Sequence, residues 1–138
     1  GAIRVTLETS RAPAGMQLRA CQCDFCTRRG TRMVSDPAGH AEIDVTGPAP
    51  HRYRFGTGTA DFLICSRCGV FAAAMIEDAG RAWVVLNTRG LAMAAFASSP
   101  CASVDFDGEE TADRMARRKA RWTPAVIRYN NAANSAAP

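Results

Sequence analysis

Five of the six cysteines in this sequence lie in two clusters with the spacing of metal sites. The first cluster is a Cys-x-Cys-x-x-Cys motif formed by Cys21, Cys23 and Cys26. The second is a Cys-x-x-Cys motif formed by Cys65 and Cys68. Cysteine thiolates at such spacings bind soft metal ions, and zinc is the usual one. The two motifs therefore predict a zinc-binding protein.

The spacing of the first motif suits convergence of its three sulfurs on one ion. Two cysteines separated by one residue on an extended strand point to the same face. The two residues before Cys26 can then turn the chain and return the third sulfur. Zinc with three protein ligands and one exchangeable position is a catalytic arrangement, whereas four protein ligands make a structural site. The number of ligands therefore decides between chemistry and structure.

The second motif supplies only half of a tetrahedral site. Gly69 follows Cys68 and can adopt a left-handed conformation, which suits a zinc knuckle. The missing ligands must come from elsewhere in the chain. The candidates are Cys21, Cys23, Cys26, Cys101, His40 and His51. If the two motifs share one ion, four sulfurs close a structural site and no position remains open.

Length and composition predict one compact domain. The chain has 138 residues, of which 47% are hydrophobic, and at this size about two-thirds of the unfolded surface can be buried without disulfides. We expect a single zinc-binding domain over residues 1–129 and a tail over residues 130–138, which show no periodicity. The clustered cysteines favour a reducing, cytoplasmic compartment. With no apolar run of about 18 residues and no signal-peptide pattern, we expect no membrane association.

The positive charge of the chain is local. The formal net charge is +4, and five basic residues crowd residues 114–121. We interpret them as a solvated helix face. A minor alternative is that one or two of these arginines meet an anionic substrate or the carboxylates of a peptide-like thiol. Nucleic-acid binding requires a broader basic face or a known motif, and neither is present.

The secondary-structure pattern is mainly β, with one late helix. Short alternating or apolar runs between turn signals predict antiparallel strands. The predicted strands cover residues 3–7, 16–21, 41–45, 52–55, 61–64, 70–76 and 82–86, with a turn at residues 77–80 between the last two. Acidic residues at 109–113 and basic ones at 117–121 predict a helix, with Met115 as its apolar contact and Pro124 as its stop. Both cysteine motifs thus lie at strand ends.

The order of the motifs resembles the glutathione-dependent formaldehyde-activating enzyme family, also called the centromere protein V-like family. The resemblance rests on the two cysteine motifs and covers nearly the whole chain. It extends over residues 34–39, 53–62, 105–109 and 122–124 and the arginine-rich segment. It implies an Mss4-like zinc-binding β fold of small antiparallel sheets with a short C-terminal helix.

The resemblance also implies roles for the cysteines. Cys21, Cys23 and Cys26 would hold a catalytic zinc, and Cys65 and Cys68 would supply half of a structural zinc site. In the family the other half is a Cys-x-Cys pair directly before a Gly-Ala-Ile segment, and this sequence starts at that segment with Gly1. We therefore expect the structural site to be incomplete in this chain. Cys101 lies outside the family motifs and is interpreted as an incidental thiol.

The activity implied by the resemblance is addition of a thiol, such as glutathione, to formaldehyde or another small aldehyde. The product is an S-hydroxyalkyl adduct, and the enzyme class is a carbon–sulfur lyase. Three thiolates leave a zinc site with about one negative charge, which favours exchange of the fourth ligand. The loop from Gly56 to Thr59 has no Lys-Ser/Thr pair after it, so we interpret it as a loop lining the site and not as a phosphate cradle.

Two other function classes stay open from the sequence. A zinc-stabilised Mss4-like binding scaffold without catalysis predicts a closed site and an exposed apolar patch. Methionine sulfoxide reduction is supported by related folds but requires a nucleophilic cysteine on a late strand. Residues 85–90 contain no cysteine.

Overall fold

The computed structural model describes residues 1–130 and shows a mainly β fold with a short C-terminal helix, as predicted. The strands are β1 (Ile3–Glu8), β2 (Leu18–Cys21), β3 (Met33–Val34), β4 (His40–Thr46), β5 (His51–Tyr53), β6 (Asp61–Ile64), β7 (Phe71–Asp78), β8 (Arg81–Asn87), β9 (Cys101–Val104) and β10 (Thr123–Asn130). The helices are α1 (Asp24–Thr27) and α2 (Thr111–Arg121). The predicted tail lies outside the described residues except for Asn130, which ends β10.

Strand β8 is the junction of the sheet. One of its edges pairs antiparallel with β7 along the hairpin. Its other edge is divided: residues 82–84 pair with β10, and residues 86–87 pair with β3. Three series of paired strands therefore start at β8, in the orders β10-β4-β1, β3-β2-β9 and β7-β6-β5.

The sheet is mixed, and its strands join into one body instead of several small antiparallel sheets. Strand β10 runs parallel to β4, and β9 runs parallel to β2. Parallel neighbours need long crossover connections. These partners are far apart along the chain, so the local pattern of the sequence carried no information about them.

Most predicted strands are present with shifted ends. The segments at 3–7, 41–45, 61–64, 70–76 and 82–86 correspond to β1, β4, β6, β7 and β8. The β7–β8 connection is tighter than predicted, because Ala79 (φ 51°) and Gly80 (φ 78°) form a two-residue turn with positive φ. The segment at 16–21 forms a strand only from Leu18, after a 3-10 turn at Pro13–Gly15.

The pattern did not predict α1, β3, β9 or β10. Helix α2 ends at Arg121, but Pro124, which we expected to stop it, is the second residue of strand β10. A proline is tolerated near the start of a strand, where its missing N–H costs least. Strands β3 and β9 and helix α1 are too short to show a period of their own.

The sheet has a hydrophobic core on each face. Along β8, Val84 and Leu86 belong to one core, and Trp83 and Val85 belong to the other. The first core also contains Ile43 and other apolar residues of β1, β4 and β10, so these strands close around it. The second core is covered by residues of α1 and α2 and by the aromatic residues of β6 and its neighbours.

Burial on both faces explains why β7 and β8 are nearly continuous apolar runs. Asn87 ends β8 as a buried polar residue, donating to the Phe71 carbonyl at 3.0 Å and accepting from the Arg32 N–H at 3.2 Å.

Within the described residues, no helix has the length and apolar character needed to span a membrane.

The junction strand should dominate stability. We expect Leu86→Ala to lower the free energy of unfolding by about 2–5 kcal/mol, because it leaves a cavity under a fully buried side chain. Val126, on β10, is 39% exposed, and Val126→Ala should cost less than about 1 kcal/mol. Urea denaturation of both variants measures the difference. Similar losses would contradict the assignment of β8 as the centre of the fold.

A buried carboxylate makes part of the stability depend on pH. Although burial raises the pKa of Asp61, hydrogen bonds from Arg54 (2.6 Å) and Arg52 (3.0 Å) outweigh it and hold the pKa below its ordinary value. A lowered pKa stabilises the folded state above the pKa of the unfolded chain, and this contribution is lost as pH falls through the folded value. We expect Asp61→Asn to cost about 1–2 kcal/mol at pH 7.

The same difference in unfolding free energy should narrow below about pH 4. Denaturant titrations of the wild type and Asp61→Asn across pH 2–7 test this. A difference that stays constant with pH would show that packing, and not charge, carries the effect.

Candidate metal centre

The structure brings Cys21, Cys23 and Cys26 together. Cys21 is the last residue of β2, Cys23 caps the N-terminus of α1, and Cys26 lies inside α1. Their three sulfur atoms all lie within 4.8 Å of one another. We call these residues the cysteine trio.

A strand-to-helix turn positions the trio. Cys23 is extended (ψ 156°), and its sulfur accepts a hydrogen bond from the Cys26 N–H at 3.4 Å. The Thr27 N–H then bonds to the Cys23 carbonyl at 2.9 Å, which closes the helical turn. One turn of helix α1 therefore brings the Cys26 sulfur back to the sulfurs of Cys21 and Cys23, as expected. Upstream, Cys21 is held by pairing of β2 with β9 at Val104.

The three thiols are electrostatically coupled. A hydrogen bond from the Cys26 thiol lowers the pKa of Cys21 to about 6, against the opposing effect of burial. The same hydrogen bond raises the pKa of Cys26, and burial raises it further. Burial also raises the pKa of Cys23. One of the three thiols is thus readily ionised, whereas three thiolates together would repel one another. A bound divalent cation offsets this repulsion and favours ionisation of all three thiols.

The donor set fits a thiophilic ion. A tetrahedral zinc with Zn–S bonds of about 2.3 Å separates its sulfurs by about 3.8 Å, and the trio already meets within 4.8 Å. Cys26 is buried, whereas Cys21 and Cys23 are partly exposed. The trio could therefore hold a metal ion with three sulfurs at the edge of solvent.

Cys65 and Cys68 form a separate pair. Backbone N–H groups of Cys68 and Arg67 lower the pKa of Cys65 below its ordinary value, although burial opposes them. Gly69 has the left-handed conformation that the sequence predicted (φ 75°). In the described part of the chain, neither cysteine joins the trio. The four-sulfur site shared by both motifs is therefore not formed.

The remaining candidate ligands stay apart from both cysteine groups. His40 begins β4 and His51 begins β5, and neither belongs to a three-ligand group within residues 1–130. Cys101 is an exposed thiol at the start of β9. The second pair therefore remains a half-site with two sulfurs.

The trio lies on the wall of a large cleft. The cleft has a volume of about 1130 Å³, and all three cysteines line it. The loop from Gly56 to Thr59 contributes Gly56, Thr57 and Thr59 to the same cleft, as expected for a loop lining the site. The metal position is thus accessible to a molecule well above the size of water.

One wall of the cleft is aromatic. The Phe25 ring lies 5.2 Å from Phe55 and 4.9 Å from Phe62, and these two lie 4.6 Å from each other, between centroids. Tyr53 extends the stack towards solvent. From the sequence, Tyr53, Phe55 and Phe62 were predicted only as strand positions, and Phe25 only as a residue within the first cysteine motif. The alternation of Tyr53 and Phe55 was the available signal that they share one side.

Arginines of α2 form another part of the cleft lining, which corrects the prediction of a solvated basic face. Arg114, Arg117 and Arg118 line the cleft, and Arg118 is only 7% exposed. Arg121 is exposed and fits the prediction. The prediction was wrong for the first three because α2 covers the second core with Met115 and turns adjacent positions inward.

No family model, curated protein or solved structure matches this chain. The trio, the cleft and the residues that line it are therefore the features that bear on function.

Removing one sulfur should destroy the metal centre. We expect Cys23→Ala to lower metal affinity by at least about 100-fold, because even changes outside the ligand set cost 10–100-fold. Titration with Cd²⁺, followed by the ultraviolet absorption of metal–thiolate bonds, measures binding. Cys101→Ala is the matched control and should bind as the wild type does. Equal binding by Cys23→Ala and the control would exclude the trio as the metal site.

Proposed function

We propose that this protein is a zinc-dependent carbon–sulfur lyase that adds a glutathione-like thiol to formaldehyde or another small aldehyde. We propose further that it belongs to the glutathione-dependent formaldehyde-activating family and has its Mss4-like fold. The observation that carries the proposal is the position of the trio on the wall of an open cleft. A closed site would leave no room for a reacting ligand.

The set of ligands supports exchange at one position. The second cysteine pair does not complete the trio, so an ion would have three sulfurs from the chain, and these sulfurs line the cleft. When bound, zinc lowers the pKa of a thiol at its fourth position and keeps the resulting sulfur nucleophilic. Cys21, Cys23 and Cys26 would hold the ion, with the turn between β2 and α1 fixing their geometry.

The reaction is balanced without a further reactant. A carbon–sulfur bond forms between the thiol sulfur and the aldehyde carbon, and the carbonyl π bond breaks. The proton lost by the thiol ends on the former carbonyl oxygen, which becomes a hydroxyl group. The reverse reaction cleaves the carbon–sulfur bond and restores both reactants.

Other residues of the cleft would bind and shield the reactants. Phe25, Phe55 and Phe62 present an apolar wall next to the trio, which limits water around the aldehyde. The cleft is far larger than formaldehyde, so its volume suits a thiol of tripeptide size. The cysteines of residues 1–130 are free thiols, which supports a reducing compartment such as the cytoplasm.

The test is turnover of glutathione and formaldehyde by zinc-loaded protein. We expect NMR exchange spectroscopy to show formation of S-hydroxymethylglutathione faster than the uncatalysed reaction. Cys23→Ala should lose at least about 100-fold in kcat/KM, because it lacks the ion that activates the thiol. Cys101→Ala should keep wild-type rates.

A wild-type rate equal to the uncatalysed one, with the ion bound and the protein folded, would reject the enzyme. The same result with a fully enclosed ion would favour the zinc-stabilised scaffold.

A further inference from the structure

Arg118 is a buried cation for which residues 1–130 supply no carboxylate partner. Its side chain lies in the wall of the cleft, and one Nη donates to Thr59 Oγ1 at 2.9 Å. Its guanidinium carbon lies 5.1 Å from the centroid of Trp122. Its Nε is buried and has no hydrogen-bond partner, and no carboxylate of residues 1–130 forms a salt bridge with it.

Arg114 lies one turn earlier on the same face of α2 and also has a spare donor. Its Nη2 donates to the Phe106 carbonyl at 2.7 Å. Its Nε is buried without a hydrogen bond, and the nearest carboxylate oxygen, of Glu109, is 3.9 Å away. Residues four positions apart lie above one another on a helix. Arg114 and Arg118 can therefore act together.

The carboxylate of Glu109 is already engaged by Arg117. Arg117 approaches it through Nε and Nη2 at 3.1 Å and stacks on Phe106 at 3.6 Å. Because Arg117 occupies both oxygens of the Glu109 carboxylate, Glu109 does not also pair with Arg118. Burial, together with the charges of Arg114 and Arg117, lowers the pKa of Arg118 to about 10. A buried unpaired charge is costly, which favours a ligand that supplies the missing anion.

The other carboxylates that line the cleft, those of Asp24, Asp105, Asp107 and Glu110, form no salt bridge with Arg114 or Arg118 in the described chain. Asp105 accepts the N–H of Asp107, so its carboxylate is turned into its own loop. Glu110 is the exposed N-terminal cap of α2, and Asp24 lies in the first turn of α1.

Arg19, Arg28 and Arg29 line the cleft as well, so its positive charge is not confined to α2. Arg114 and Arg118 differ from them in having a buried Nε with no hydrogen-bond partner in residues 1–130. Planar guanidinium groups match carboxylates in geometry as well as charge.

We infer that Arg118 and Arg114 form a carboxylate-binding subsite of the cleft, which selects thiols that carry a carboxylate over neutral thiols. The inference rests on the proposed function. The thiol would reach the cysteine trio with its sulfur while its carboxylate meets Arg118 across the same cleft. Both ends of the substrate are then fixed, and the aldehyde enters between them.

The kinetic test compares 3-mercaptopropanoate with neutral 2-mercaptoethanol as thiol substrates of the zinc-loaded protein. We expect the wild type to prefer the anionic thiol by about tenfold or more in kcat/KM, mainly through KM. Arg118→Gln should abolish this preference. Arg121→Gln removes the same charge from the exposed side of α2 and should retain it. An unchanged preference in Arg118→Gln would overturn the inference.

A binding test separates this inference from the enzymatic function. S-methylglutathione has carboxylates but no free thiol, and its binding can be followed by the fluorescence of Trp122. We expect saturable binding to the wild type that weakens at least about tenfold in Arg118→Gln and with the diethyl ester of the probe. This result would support the subsite even if no thiol were turned over.

The opposite result would overturn the subsite and leave the enzyme standing. It consists of turnover with equal preference for both thiols and no binding of the probe to folded protein. If Arg118→Gln does not fold, Arg118→Lys carries the test, because it keeps the charge and loses the planar fork. It should show normal metal content and a reduced preference for the anionic thiol. A full wild-type preference in a folded Arg118→Lys would count against bidentate recognition.

Discussion

Backbone pairing along both edges of β8 is the constraint on which the rest of the structure depends. The edge away from β7 is shared by β3 and β10. Strand β3 carries β2, which ends at the cysteine trio, and β10 follows directly from α2. Sharing one edge therefore places the arginine face of α2 on the same cleft as the three sulfurs. Neither the trio nor α2 sets this arrangement, because each is a local structure.

The cleft is lined by one group of side chains that favours a cation and by another that favours an anion. The trio places three thiols where only one is readily ionised, an arrangement that a bound cation would stabilise. The α2 wall buries a guanidinium group with no carboxylate within salt-bridge reach in the described chain, and a bound anion would stabilise it. With a cation held by the trio, a molecule with a soft nucleophilic end and an acidic end would suit both places. The aromatic residues that line the same cleft supply an apolar surface that strengthens each interaction by excluding water.

The fold could be predicted where the chain itself carries a period. Strands β1 and β4 alternate with one buried face, and β7 and β8 are apolar on both faces, so each is visible in its own residues. Strand β10 was missed because Pro124 resembles a helix stop, and β9 because its exposed residues show no alternation. The parallel partners of β10 and β9 could not be predicted, since pairing between distant segments leaves no mark on either one alone.

The sequence by itself determined the trio. Six residues from Cys21 to Cys26 contain the strand end, the cap and the helical turn, so local geometry suffices to gather the sulfurs. Tertiary structure alone decided that Cys65 and Cys68 stay apart from them and that Arg118 is buried while Arg121 is exposed. The reason is physical: a charge pattern on a helix is the same in either orientation, and only packing of α2 against the second core fixes which side faces the cleft.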